Sequence, residues 1–136
     1  MTIIEQLKRD EGTRLRPYKD SVGKLTIGTG RNLDDVGISQ AEADFLLKND
    51  IDKATEQLTA NLPWTSGLDD ARHGALINMT FNLGIHGLMG FRNTLAMIQA
   101  GDYSGAASAM LSSEWEKQVG PRAHRLAKQI ETGEWQ

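Results

Sequence analysis

The 136-residue chain carries 18 acidic and 15 basic side chains, a net charge of −3, with 39% apolar and 24% charged residues. That is the composition of one soluble globular domain, long enough to bury about two-thirds of its unfolded surface. Without cysteine it has no disulfide framework and no thiolate metal site, and His73, His86 and His124 lie 13 and 38 residues apart, a spacing that matches no common ligand pattern.

Thr2-x-x-Glu5 is a capping box that opens a helix at the N-terminus. Ile3, Ile4, Leu7 and Glu11 follow at helical spacing, which sets Glu11 on the apolar stripe, and Gly12 is placed to end the helix. From Leu15 to Gly30 the signals change. Pro17 forbids further helix, Ser21-Val22-Gly23 reads as a turn, and Leu25 and Ile27 alternate with Thr26. The pattern predicts a small β-hairpin with Asp20 at its turn and Thr26 on the return strand. Gly28 and Gly30 then mark a flexible or closely approached backbone.

Ser39-x-x-Glu42 is a second capping box. It opens a long helix whose apolar line runs through Ala43, Leu46, Leu47, Ile51, Ala54, Leu58 and Leu62, and Pro63 stops it after about 35 Å. Leu68 to Leu83 is apolar nearly all round its second half, as expected of the buried central helix of a bundle that Gly84 terminates. Shorter helices are predicted over 92–100 and 102–112, with another from Ser113 and a last one from Pro121 to Gly133. The fold class is α+β, mostly α.

Charge is distributed unevenly. Residues 1–31 carry seven basic against four acidic side chains, residues 34–70 two against nine, and residues 71–136 six against five. No concentrated basic stripe appears, so nucleic acid is not an expected partner. The acidic block reads as a solvated helix face. No apolar run approaches the roughly 18 residues of a membrane span, and the N-terminal stretch has no export-signal pattern.

Three residues stand out. Glu11 is a carboxylate in the last turn of a helix, facing the negative end of the macrodipole on a partly desolvated stripe; both effects favour the proton-bearing form a general acid needs. Asp20 alone is explained by an Asx turn, and Thr26 alone by strand preference. Together they gain meaning, because hairpin pairing returns Thr26 to Asp20 and the hairpin leaves directly from the helix bearing Glu11. Two carboxylates and a hydroxyl facing one cleft between lobes suit glycosidic bond cleavage, with the hydroxyl holding the attacking water.

The motif E-G-x-R-L-x-x-Y-x-D-x-x-G-x-x-T-I-G-x-G, from Glu11 to Gly30, closely resembles that of the T-even phage lysozyme family. Residues 68–84, 87–98 and 122–135 resemble the family's helical lobe in order, so the likeness covers almost the whole chain. It implies a two-lobed lysozyme-like fold with a β-hairpin lobe at about 13–45, a connecting helix at about 40–62, and a helical lobe of 63–136 plus the N-terminal helix 2–11, all in one domain. By the same resemblance Glu11 is the general acid, while Asp20 and Thr26 activate water in an inverting reaction. Arg122 pairs with the catalytic glutamate, which opposes the effect of burial on Glu11. Phe81, Asn82, Thr94 and Asn32 fall at substrate positions, and Trp115 reads as core in preference to a stacking platform.

The sequence also departs from the family pattern. Residues 32–42 replace a much longer segment, Asn32 stands for an apolar cleft residue, and Ala109 for an amide that contacts substrate. Arg31 replaces a histidine that pairs with an aspartate matched by Asp50, which predicts an Arg31–Asp50 pair charged through pH 6–8. The resemblance implies a muramidase cutting the β-1,4 bond between N-acetylmuramic acid and N-acetylglucosamine for host lysis. It implies no metal or cofactor, a monomer without stable membrane association, and a host-cytoplasmic protein that reaches the wall with the help of a holin. The competing reading is a non-catalytic peptidoglycan-binding module with a lysozyme-like fold, which would be free to lose Glu11, Asp20 and Thr26.

Overall fold

A computed structural model describes all 136 residues, as seven α-helices and one three-stranded antiparallel sheet. The backbone divides into two compact units, Met1–Leu46 and Leu47–Gln136. No helix is long and apolar enough to cross a membrane.

The first unit begins with α1 (Ile3–Glu11). Both bonds of its capping box are made: Thr2 Oγ1 accepts from Glu5 N–H at 3.1 Å, and Glu5 Oε2 accepts from Thr2 N–H at 2.6 Å. Gly12, at φ 71°, ends the helix by donating back to the Lys8 carbonyl, and the chain leaves directly as a strand. The sheet runs β1 (Arg14–Lys19), β2 (Leu25–Gly28) and β3 (Arg31–Asn32) in that order. Tyr18 pairs with Thr26 and Lys19 with Leu25, whereas the ladder is irregular between Arg14 and Tyr18. Pro17 falls in that irregular stretch, where its missing N–H breaks no ladder bond.

The third strand was not foreseen. Gly28 and Gly30, at φ 68° and 73°, turn the chain so that Arg31 pairs with Ile27 and Asn32 with Thr26. The shortened segment after it is held by its own polar groups. Asn32 exchanges two hydrogen bonds with Asp35, at 2.9 and 3.0 Å, and Asp34 Oδ2 accepts from Leu25 N–H at 2.7 Å. Helix α2 (Gln40–Asn61) starts from the second capping box, with Ser39 Oγ accepting from Glu42 N–H at 3.1 Å and Glu42 Oε1 accepting from Ser39 N–H at 2.9 Å.

In the second unit Pro63 opens a 3₁₀ turn to Gly67 and α3 (Asp70–Met89) follows. Gly84, at φ 73° and ψ 163°, breaks α3 where termination was expected, but helix resumes at once. Helices α4 (Arg92–Ala100), α5 (Tyr103–Leu111), α6 (Glu114–Val119) and α7 (Pro121–Thr132) complete the unit, each starting and ending within a residue or two of its sequence signal. The core gathers Leu58, Leu76, Met79, Leu88, Ile98, Met110 and Ile130. Alanines 75, 106, 123 and 127, all essentially buried, let α7 approach α3 and α5 closely.

One cation fastens the end of α7 to α3. Arg72 Nε donates to the Ile130 carbonyl at 2.6 Å and Nη2 to the Glu131 carbonyl at 3.0 Å, neutralising the negative end of that helix. The same guanidinium lies 3.6 Å from the centroid of the Tyr103 ring on α5 and 3.1 Å from Asp69, the N-cap of α3. Gln129 Nε2 adds a buried bond to the Ala71 carbonyl at 2.6 Å. Replacing Arg72 by Met keeps much of the packing but strands two carbonyls. It should lower unfolding free energy by about 1.5–3 kcal/mol in urea titrations while leaving the m-value unchanged.

Candidate active site

Asp20 follows β1 at the mouth of the hairpin turn. Its Oδ1 accepts from Val22 N–H at 3.0 Å and from Lys24 N–H at 2.8 Å, while its own N–H donates to the Lys24 carbonyl at 2.9 Å. The Asx-turn reading is thus correct, but it consumes one carboxylate oxygen only. Oδ2 has no protein hydrogen bond and is available to a ligand.

Thr26 is buried in the central strand, and its hydroxyl donates to that same Lys24 carbonyl at 2.9 Å. The proton is therefore committed, and the oxygen presents only lone pairs to any further partner. The Lys24 backbone binds Asp20 through both its N–H and its carbonyl, and Thr26 through the carbonyl. This linkage had no sequence signal, because position 24 contributes backbone alone.

Glu11 is the last residue of α1 and lines a hollow of about 300 Å³ with Ile4, Leu7, Lys8, Thr29 and Gly30. The shared apolar stripe is therefore real, but the carboxyl is exposed, so the expected partial desolvation does not hold. Gly30 makes room for it: a Cβ there would stand 3.1 Å from Glu11 Oε2 and 3.2 Å from Cδ. The close approach anticipated for this glycine is thus an approach by the glutamate itself.

Arg31 corrects one expectation. Its Nη1 donates to Glu42 Oε1 at 2.7 Å and to the Gly37 carbonyl at 3.1 Å, so its ion pair is with Glu42 and not with Asp50. The cause is the short connection from β3, which brings the glutamate of the α2 capping box beside the strand. The Arg31 hydrogen bond, then those of Ser39, hold the Glu42 carboxyl down from the usual 4.5 to about 2. Asp50 lies on α2 in the second unit and lines a hollow there with Lys53, Gln57, Phe81 and His86. Asn32, expected among the substrate contacts, has both ends of its amide engaged by Asp35.

In the helical unit Phe81 is exposed and also lines a hollow of about 400 Å³ with Ile77, Asn78, Arg122 and Trp135. Arg122 Nε and Nη2 both donate to Asn78 Oδ1, at 3.0 and 2.7 Å. Asn78 was not singled out from sequence, although it lies one helical turn before Asn82. Asn82 Oδ1 accepts from Trp115 Nε1 at 2.8 Å, which fixes its amide so that the NH₂ group remains to donate. Trp115 is buried and packs edge-on against Phe91 with ring centroids 5.9 Å apart, as the core reading required. Thr94, expected to contact sugar, is buried in α4.

A helix-end carboxyl, and a carboxylate and hydroxyl on the hairpin that follows it, are the equipment of a hydrolase working by acid–base chemistry. Comparison with known proteins agrees. The phage lysozyme family model matches residues 8–131, and the chain belongs to that family; it is a lysozyme, a glycoside hydrolase. It is 30% identical to probable T4-type lysozyme 1 of Dictyostelium discoideum, over 97% of this chain and 95% of that protein. It is 32% identical to an endolysin of Salmonella phage P22, over 84% and 80% of the two chains. A 29% identity to the pre-baseplate central spike protein Gp5 of Enterobacteria phage T4 covers 98% of this chain but 28% of that protein.

Two outcomes test this geometry. Gly30→Ala places a Cβ at positive φ and against Glu11, and should cut turnover by about tenfold or more with a smaller loss of stability. Glu42, with its acidity raised in the fold, stabilises the protein above pH 4.5, and that contribution is lost as pH falls through about 2. In Arg31→Met the Glu42 carboxyl should titrate nearer pH 4.5 by NMR, and its stabilising contribution should shrink because the folded and unfolded values then differ less.

Proposed function

We propose that this lysozyme cleaves the β-1,4 bond between N-acetylmuramic acid and N-acetylglucosamine in peptidoglycan, with inversion at the anomeric carbon. Glu11 is the general acid that gives its proton to the leaving glycosidic oxygen as the bond to the anomeric carbon breaks. Asp20 Oδ2 and Thr26 Oγ1 hold a water between them, each accepting one of its hydrogen bonds. Asp20 takes the proton as the water oxygen bonds to the anomeric carbon from the opposite face. Phe81 and the Asn82 NH₂ group serve the sugar in the helical lobe.

The observation that supports this reading most is the commitment of the Thr26 proton to the Lys24 carbonyl. A hydroxyl that can only accept, tied through the Lys24 backbone to a carboxylate with one oxygen free of protein partners, would orient a water's lone pair away from both. The intact set of three also argues against a purely binding role. Relatives named endolysins support a part in host lysis, and we extend the reading to passage to the wall through a holin-made lesion.

Turbidity clearance of purified cell walls is the test. Glu11→Gln should fold as the parent does and clear walls about 10²- to 10⁴-fold more slowly. Wild-type clearance by that variant would refute the general-acid role.

A further inference from the structure

The first unit contains a contact outside the three residues already assigned. Thr13 Oγ1 and Thr29 Oγ1 lie 2.9 Å apart, one hydroxyl donating to the other. Thr13 is two residues beyond Glu11, and Thr29 stands between Gly28 and Gly30, lining the same hollow as Glu11. Both occupy unspecified positions of the motif, so the motif explains neither.

Their placement gives the pair a task. Glu11 makes no side-chain hydrogen bond that would orient it. Its direction is set by the way α1 meets the sheet, and that junction is Gly12, a residue with the widest backbone freedom. On the sheet side the Arg14–Gly28 pair is isolated from Tyr18–Thr26 by the irregular stretch of β1. The threonine pair adds a rung at that loose end, immediately after the glycine. It lies beside Gly30, the residue against which the glutamate packs.

We propose that the Thr13–Thr29 hydroxyl pair is a latch that holds the α1–β1 junction and so aims Glu11 at the glycosidic oxygen. Both threonines are positioning residues. The inference rests on Glu11 being the general acid. Both side chains are exposed, so water replaces the bond readily and its loss costs little stability. Proton delivery is less forgiving, since a small misplacement of the acid lowers the rate without weakening substrate binding.

The test measures kcat, KM and melting temperature on soluble peptidoglycan fragments for Thr13→Val, Thr29→Val, the double Val variant, the double Ser variant and Glu11→Gln. Each single Val variant should lower kcat about three- to tenfold with KM and melting temperature nearly unchanged. The double Val variant should fall no further than the singles, because all three lose one bond, and the double Ser variant should recover most of the parental kcat. Parental kcat in the Val variants, losses that multiply in the double, or a change confined to KM would overturn the latch. The two readings fail separately: an inactive Glu11→Gln beside fully active Val variants sinks the latch alone. An active Glu11→Gln sinks the general-acid role, and the latch with it, even where the Val variants are slow.

Discussion

The arrangement of the hairpin depends on the backbone of a single residue. Lys24 donates its N–H to Asp20 Oδ1, and its carbonyl accepts from both the Asp20 N–H and the Thr26 hydroxyl. These bonds close the turn, and they also fix the chemistry that its side chains can offer. Asp20 keeps one oxygen free, and Thr26 loses the freedom to donate. The local fold and the proposed activation of water thus share one constraint. A substitution that relaxed the turn would alter the hydrogen-bonding character of the site before it altered the overall fold.

Around that turn the scaffold is specified mostly by local signals, which explains how much of it could be read in advance. Thr2 with Glu5 and Ser39 with Glu42 form both bonds of their capping boxes. Asp102 and Ser113 accept backbone N–H groups as N-caps, and Gly101 and Gly133 adopt the left-handed conformation that ends a helix. What escaped the sequence reading is what lacks a period. A two-residue strand has no alternation to detect, and the helical turn beyond Gly84 is shorter than any hydrophobic repeat.

The site divides in the same way. The placements of Glu11, Asp20 and Thr26 were legible because a helix end, a turn and a strand each left a trace within a few residues, whereas their proposed roles came from the resemblance. Partner choice was not. Arg31 was assigned to Asp50 by resemblance, yet the shortened connection supplies Glu42 at closer range. Asn32 looked available until Asp35 took both ends of its amide. Such outcomes depend on loop length and burial, which no motif records. The role of the Lys24 backbone was invisible for a simpler reason, since any residue with a backbone N–H and carbonyl could have provided it.

The proposed mechanism depends on what Asp20 and Thr26 do together. An Asp20 oxygen and a hydroxyl that only accepts are suited to hold water, whereas a carboxylate acting as nucleophile would bond to the sugar itself. Proton NMR of the products at early times, before the anomers equilibrate, separates these directly. Cleavage of the β-linked glycan should yield the α-anomer first, from a single displacement by water. Initial release of the β-anomer would mean a double displacement and would contradict the role assigned to the pair.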